Sequence, residues 1–308
     1  MSSRARTLLL TLLVAPSHEA KYILFTTQRS GSTWLCDVLR RQPGIECGIS
    51  TAQNHSGYPS SVSEMMIHYS FMKNRVVQGY DYSNITWAKW RADCEAQFAL
   101  LTRESSGKEK ATAMGFKLMY DQVPPRLMSA FVTYVAREHI TIIHLEREAV
   151  LLQVASRFQT QSGHMHETDA ANAAKIRQST APLAAPFETV KQMMKQHIAE
   201  HDEWKAHLRY APGVRYYHVA YEHLIGPAAE NYLRSVIAFM ADRNEDVDLR
   251  NVTLASALYA LHESSCRERV APSLYARLRE SFRATSVMGA CDMLDELANQ
   301  SAAANDLH

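Results

Sequence analysis

The sequence has 308 residues, of which 46% are hydrophobic and 21% are charged, an ordinary composition for a folded globular protein. Its 33 lysines and arginines nearly balance its 32 aspartates and glutamates, and the net charge of +1 excludes the strong basic field of a typical nucleic-acid-binding protein. An anionic ligand would therefore have to be held by a local group of side chains.

The first 20 residues contain two arginines, then the apolar run LLLTLLVA, then small residues. This order predicts a leader or a weak signal-like segment, or else an extra edge strand. The apolar run is shorter than the roughly 20 residues that cross a bilayer, so we expect no membrane span. We assign residues 1–20 to this leader and residues 21–308 to one domain, and we expect a cytoplasmic protein.

The cysteines and histidines do not show the spacing of a metal site. His164 and His166 lie together in the polar segment QSGHMHETD, where short histidine pairs are usually solvated. The five cysteines are scattered and odd in number, so we expect no zinc site and no disulfide framework, and Cys36 as a packed thiol. The five positions are Cys36, Cys47, Cys94, Cys266 and Cys291.

The first predicted strand, KYILFTT (residues 21–27), leads through a loop rich in donors into a predicted helix, STWLCDVLRRQ, which Pro43 and Gly44 end. Arg29 supplies a cation, while Ser30, Ser32 and Thr33 supply hydroxyl groups. Gly31 lets the backbone approach a ligand closely, and the first amides of the helix point outward without partners. The loop therefore predicts a phosphate cradle, although it lacks the Walker A pattern GxxxxGK[ST].

Strands and helices then alternate along the chain. After a polar loop (residues 45–62), the periodicity predicts helices at 86–105, 124–138, 148–161, 185–208 and 228–242. It predicts strands at 113–123, 140–147 and 214–224. This order predicts an α/β fold, a three-layer sandwich with a central, mostly parallel sheet and a P-loop-like phosphate-binding loop. Ligands bind beyond the carboxyl ends of the strands in such sheets.

A second group of candidate residues follows the strand ITIIHLER. Arg147 ends that strand, and Ser156 comes nine residues later on the next predicted helix. An arginine fork and a hydroxyl can converge on an anion with two exposed oxygens. Together with the first loop, this pair predicts a ligand with two separated phosphates.

At this point the sequence resembles a known family, the sulfotransferases that use 3′-phosphoadenosine 5′-phosphosulfate (PAPS). The segment TTQRSGSTWL resembles their 5′-phosphosulfate loop, and Arg147 to Ser156 resembles their 3′-phosphate motif. GFKLMYDQ is similar to a segment of the bacterial carbohydrate enzymes of the trehalose and nodulation-factor types. VAYEHL resembles a later strand of the same superfamily, and the resemblance spans about residues 21 to 285.

The resemblance implies a role for each matched position. The loop from Arg29 to Trp34 would hold the 5′-phosphate and the sulfuryl region. Arg147 and Ser156 would hold the 3′-phosphate, and Tyr221 would lie near the nucleotide. The segment ESSCRERVAPSLYARLRESF lies where the family has a C-terminal loop that closes over the nucleotide, so Arg267 or Arg269 could reach the 3′-phosphate there.

Sulfuryl transfer places negative charge on the leaving phosphate, and Arg29 and Lys117 are the candidate cations for it. An acceptor hydroxyl also needs a general base. Related carbohydrate enzymes place a glutamate in a "GE" context, but here Gly48 is followed by Ile49. Glu46 and His55 are the nearest candidates, and an amine acceptor would need little help from a base.

We therefore expect PAPS as donor, adenosine 3′,5′-bisphosphate (PAP) as product, no metal, and a small-molecule or carbohydrate acceptor, with a homodimer as the possible assembly. A nucleotide-dependent kinase is one alternative, but the lysine and magnesium-binding carboxylates it requires are not evident. A nucleotide-binding homologue that has lost its base is another.

Overall fold

The computed structural model describes residues 20–50, 61–62, 85–105, 111–161, 182–226, 228–241, 265–283 and 285–305. At its centre lies a five-stranded parallel sheet in the order β2-β5-β1-β6-β7. Its strands are β1 (Ala20–Thr26), β2 (Ile45–Cys47), β5 (Ala113–Met119), β6 (Thr141–Glu146) and β7 (Arg215–Ala220). A short antiparallel pair, β3 (Ile49–Ser50) and β4 (Ser61–Val62), stands apart from it.

The helices include one after almost every strand of the sheet, as in other α/β folds. They are α1 (Ser32–Arg40), α2 (Trp87–Ser105), α3 (Met128–Arg137), α4 (Val150–Gln161), α5 (Phe187–Arg209), α6 (Tyr221–Ile225), α7 (Ala229–Ala241), α8 (Cys266–Arg269), α9 (Pro272–Ser281) and α10 (Ser286–Asn305). Two single 3₁₀ turns, Tyr120–Gln122 and Pro125–Leu127, connect β5 to α3. The predicted fold class is therefore confirmed.

Alternation along the strands divides the buried side chains between the two faces of the sheet. Ile23 and Phe25 of β1 pack with α2, α3 and α5 on one face. Tyr22 and Leu24 pack with α1 and α7 on the other. A third core joins α4 and α5 to the C-terminal helices α8, α9 and α10. The carboxyl ends of β1 and β6 meet beside this third core, so residues distant in sequence converge there.

Three predicted elements differ from the structure. The predicted strand at 113–123 ends at Met119, and a 3₁₀ turn, Tyr120–Gln122, follows it. The polar loop at 45–62 begins with β2, which extends the sheet because Ile45 and Cys47 are buried beside β5. The predicted strand at 214–224 ends at Ala220, and α6 begins at Tyr221. This early end turns Tyr221 and Glu222 away from the strand register and toward the end of β6.

The expectation that the cysteines would form no disulfides is wrong. Cys36 of α1 is bonded to Cys47 of β2, and Cys266 of α8 is bonded to Cys291 of α10. Only Cys94 is a free thiol, and it is buried. The error arose because spacings of 11 and 25 residues match no short motif, so only the fold could bring the partners together.

Candidate functional site

The loop between β1 and α1 has the backbone conformation of an anion cradle. Arg29 and Gly31 both adopt positive φ angles, 64° and 85°, and Gly31 occupies the N-cap position of α1. Because glycine has no side chain, the N-cap contributes no capping hydrogen bond, and the first amides of α1 remain available to an anion. A positive φ costs a non-glycine residue about 1–3 kcal/mol, a strain that is concentrated at functional sites.

The Ser30 side chain is used inside the fold. It is fully buried, and its hydroxyl lies 2.5 Å from the Thr26 hydroxyl, which in turn lies 2.8 Å from the carbonyl oxygen of Leu145. These contacts tie the loop to the end of β6. Ser30 therefore shapes the cradle, while the hydroxyl group of Thr33, on a half-buried residue, lies on the side of Lys117.

Tyr221 packs directly against Gly31. A Cβ atom added at Gly31 would lie 2.3 Å from the tyrosine ring, so no side chain fits there. Trp34 meets the same ring edge-on, with 5.8 Å between centroids, and both aromatic residues are buried. The structure thus places Trp34 and Tyr221 as packing behind the loop, where they hold its backbone in position.

The two groups of residues predicted from the sequence lie in one place. The Arg29 Nε donates a hydrogen bond to the Ser156 hydroxyl across 2.8 Å. The Arg147 Nη1 donates to the carbonyl oxygen of Arg29 across 3.1 Å. The Gln153 side-chain amide on α4 donates to the carbonyl oxygen of Gln28 across 2.7 Å. Gln153 was missed by the sequence analysis, and no motif pointed to it.

Arg147 is held by two residues of α6. Its guanidinium lies 5.3 Å from the centre of the Tyr221 ring, and its Nε lies 3.9 Å from the Glu222 carboxylate. That carboxylate also accepts hydrogen bonds of 3.0 Å from the backbone amides of Glu148 and Ala149, at the start of α4. Glu222 is fully buried, and burial raises the pKa of its carboxyl group. The only sequence signal for it was its place in VAYEHL.

A third arginine, Arg269, lies near the first two. The pKa of Arg29 is lowered to about 10, chiefly by burial and then by the charges of Arg147 and Arg269. The backbone of Arg269 is held by Leu183, whose amide donates to the Arg269 carbonyl oxygen across 2.8 Å. We call Arg29, Arg147, Arg269 and Ser156 the arginine cluster. Three neighbouring guanidinium groups favour a ligand with a strong negative charge.

Lys117 lies on the other side of the loop. It comes near the end of β5, is only 3% exposed, and donates a hydrogen bond from Nζ to the Thr33 hydroxyl across 3.0 Å. A buried lysine beside the first turn of α1 adds a cation where the helix already favours an anion. The site thus has two cationic regions, the arginine cluster and the pair of Lys117 and Thr33.

The structure does not bring Glu46 to these regions. Glu46 is paired in register with Met114, three residues before Lys117 on β5. The next residue, Cys47, faces α1 through its disulfide, so alternation directs the Glu46 side chain to the opposite face of the sheet. His55 lies outside the described residues.

Comparison with solved structures finds several chains that match, among them one sulfotransferase domain. It is the "Sulfotransferase Domain from the Curacin Biosynthetic Pathway", with a TM-score of 0.39 and 12% sequence identity. The match covers 90% of this chain and 98% of that one. No protein-family model and no curated protein sequence matches the chain.

Proposed function

We propose that the protein transfers a sulfuryl group from PAPS to an acceptor, leaving PAP as the second product. The observation that carries this proposal is the contact between the β1–α1 loop and the end of β6, through Arg29, Arg147 and Ser156. An anion cradle at a helix start, in contact with a cluster of arginines, suits a nucleotide with phosphates on both sides of its ribose.

The donor groups of the arginine cluster fit a terminal phosphate. A phosphate monoester carries a charge of about −1.5 to −2 and three acceptor oxygens. Arg147 and Ser156 supply a planar fork and a hydroxyl to such oxygens, with Arg269 close by. The Glu222 carboxylate balances part of the positive charge and fixes the orientation of Arg147. This part of the site is our candidate for binding the 3′-phosphate.

The Lys117 region fits the other end of the donor. When bound, PAPS supplies the sulfuryl group: a bond forms from the acceptor atom to sulfur while the bond from sulfur to the bridging phosphate oxygen breaks. The first amides of α1, the Thr33 hydroxyl and the Lys117 ammonium lie where they can stabilise charge on that oxygen. Because Lys117 is buried, this stabilisation is stronger than it would be in water.

The acceptor and the general base stay predictions. We propose a hydroxyl or amine of a small molecule or carbohydrate as the acceptor. A hydroxyl would pass its proton to a base, for which His55 is the candidate we favour, since Glu46 faces the other side of the sheet. A homodimer also stays a prediction.

The compartment can be argued from the disulfides. Disulfides are rare in the cytosol and persist in oxidising compartments. The two bonds, Cys36–Cys47 and Cys266–Cys291, brace the helices that carry the cradle and Arg269. We therefore propose an oxidising compartment in place of the cytoplasmic location expected from the sequence. No helix in the described ranges is both long and apolar enough to cross a membrane.

The test is transfer from PAPS carrying ³⁵S to a panel of sugars, phenols and amines, with Lys117→Met as the matched variant. We expect a labelled product and PAP with the wild type, and a severe loss of transfer with Lys117→Met. Binding of PAP without transfer to any acceptor would favour the inactive homologue. Magnesium-dependent consumption of ATP would favour the kinase instead.

A further inference from the structure

The position of Arg29 in the chain suggests one role in binding the donor, and the contacts of its side chain suggest another. It belongs to the β1–α1 loop, and by its place in that loop it was expected to contact the 5′-phosphosulfate. Its guanidinium, however, donates from Nε to Ser156 on α4, the helix that follows β6, whereas Lys117 lies on β5, the strand on the other side of β1. We propose that Arg29 recognises the 3′-phosphate of the donor and so determines specificity for 3′-phosphorylated nucleotides. This inference rests on the proposed function.

The hydrogen bonds around Arg29 support this role. The Arg29 peptide is fixed by Arg147, which donates to its carbonyl oxygen. Arg29 has its positive φ angle in this arrangement. Ser156, which accepts from the Arg29 side chain, is one of the residues assigned to the 3′-phosphate. Arg29 is therefore connected to the 3′-phosphate group of residues through both its backbone and its side chain.

The charges around Arg29 agree with the contacts. The cations that lower its pKa, after the effect of burial, are Arg147 and Arg269. Like charges brought together at a half-buried position repel one another unless an anion lies between them. A phosphate dianion can accept from all three guanidinium groups. The 5′-phosphosulfate has only about one negative charge on each of its two groups and would balance this cluster less well.

The 5′ end of the donor has its own cation. Lys117 is buried on the α1 side of the sheet and donates to Thr33 at the first turn of α1. In this arrangement the three arginines bind the 3′-phosphate, and the lysine stabilises the leaving 5′-phosphate. Loss of Arg29 should then weaken the binding of nucleotides that carry a 3′-phosphate more than the binding of nucleotides that lack one.

The test is isothermal titration calorimetry of the full chain, which measures its affinity for three nucleotides: PAP, adenosine 5′-monophosphate (AMP) and adenosine 3′-monophosphate. The variants are Arg29→Ala, Arg29→Lys and Lys117→Met, with Arg41→Ala as a control because Arg41 is exposed at the end of α1. We expect Arg29→Ala to weaken PAP and the 3′-monophosphate by about 10- to 100-fold, the worth of charge-assisted hydrogen bonds, and AMP by less than about twofold. Lys117→Met should weaken PAP and AMP but not the 3′-monophosphate.

Equal weakening of PAP and AMP by Arg29→Ala, with the 3′-monophosphate unaffected, would place Arg29 at the 5′ end and overturn the inference. If the alanine variant does not fold, Arg29→Lys decides, because it keeps the charge but loses the guanidinium fork. It should weaken the 3′-phosphorylated ligands selectively, and a uniform loss would contradict the role. If the wild type itself does not prefer PAP over AMP, the proposed function fails rather than this inference alone.

Discussion

Arg147 donates a hydrogen bond to the carbonyl oxygen of Arg29 across 3.1 Å, although the two residues are 118 positions apart in the chain. The contact joins the end of β6 to the loop after β1. It requires both strands to end at the same edge of the sheet, which their parallel pairing ensures. Both groups of cations therefore contact the segment that joins β1 to α1, Arg147 through the carbonyl oxygen of Arg29 and Lys117 through the Thr33 hydroxyl.

Arg147→Ala should weaken binding of PAP by at least about tenfold and binding of AMP much less. The reason is that removal of a charged donor from a buried phosphate site costs more than a neutral hydrogen bond. Titration calorimetry of both ligands, with Arg41→Ala as the control, measures the difference. Equal losses of affinity for PAP and AMP would contradict the assignment of Arg147 to the 3′-phosphate.

Glu222→Gln should lower both the melting temperature and the affinity for PAP. The buried carboxylate accepts hydrogen bonds from two backbone amides. Glutamine would replace one of the two oxygens with an NH₂ group, which cannot accept and would point at a backbone N–H. An unsatisfied buried group costs about 1–3 kcal/mol. Glu230→Gln is the matched control, because Glu230 pairs with Arg234 on the exposed surface of α7.

If the Glu230 variant loses as much stability as the Glu222 variant, the buried carboxylate has no special role. A Glu222 variant with a lower melting temperature but unchanged PAP affinity would limit the role of Glu222 to holding the start of α4.

The oxidised protein should contain one free thiol. Alkylation of the unfolded, unreduced chain should modify only Cys94, and prior reduction should raise the number of modified cysteines to all five. Each disulfide should contribute about 3 kcal/mol to the free energy of unfolding, as expected for loops of this length. Mass spectrometry counts the alkyl groups, and five groups without reduction, from protein made in an oxidising compartment, would refute both bonds.

The stability of the fold should fall as the solution is acidified. Burial lowers the pKa of His144, and it lowers the pKa values of His197 and His201 to about 4, whereas the unfolded chain titrates near 6.5. Between these values the unfolded state binds more protons, so stability is full above about pH 6.5 and is lost toward pH 4. Each proton contributes a slope of about 1.4 kcal/mol per pH unit.

Urea unfolding at pH 7.5, 6 and 5 measures this dependence. His201→Gln should flatten it, because a glutamine can still bond to the Tyr120 hydroxyl that now contacts His201 at 2.8 Å, but it does not titrate. His207→Gln is the control on the exposed face of the same helix. An equal pH dependence in all three proteins would show that the buried histidines do not govern acid stability.

Most of the fold could be predicted from the sequence because its signals are local. The strand KYILFTT and the helix after it were predicted within one or two residues by hydrophobic periodicity and by the proline and glycine that follow the helix. The strand β2 could not be predicted, since three residues carry too little periodicity and their burial depends on β5.

The site was predictable only in part. Loop composition singled out the β1–α1 loop and spacing singled out Arg147 and Ser156, and the structure brings these residues together. Two things could not be deduced: the direction of the Arg29 side chain, and the buried carboxylate of Glu222. Both depend on how α4 and α6 pack against the loop, and no spacing within the sequence records that packing.

The most direct test of the account is the affinity of the wild-type protein for PAP compared with AMP, measured by calorimetry under the same conditions. If two cationic regions bind the two phosphates of one nucleotide, PAP should bind at least about tenfold more tightly, because it adds charge-assisted contacts at the arginine cluster. Equal affinities for PAP and AMP would contradict the central claim.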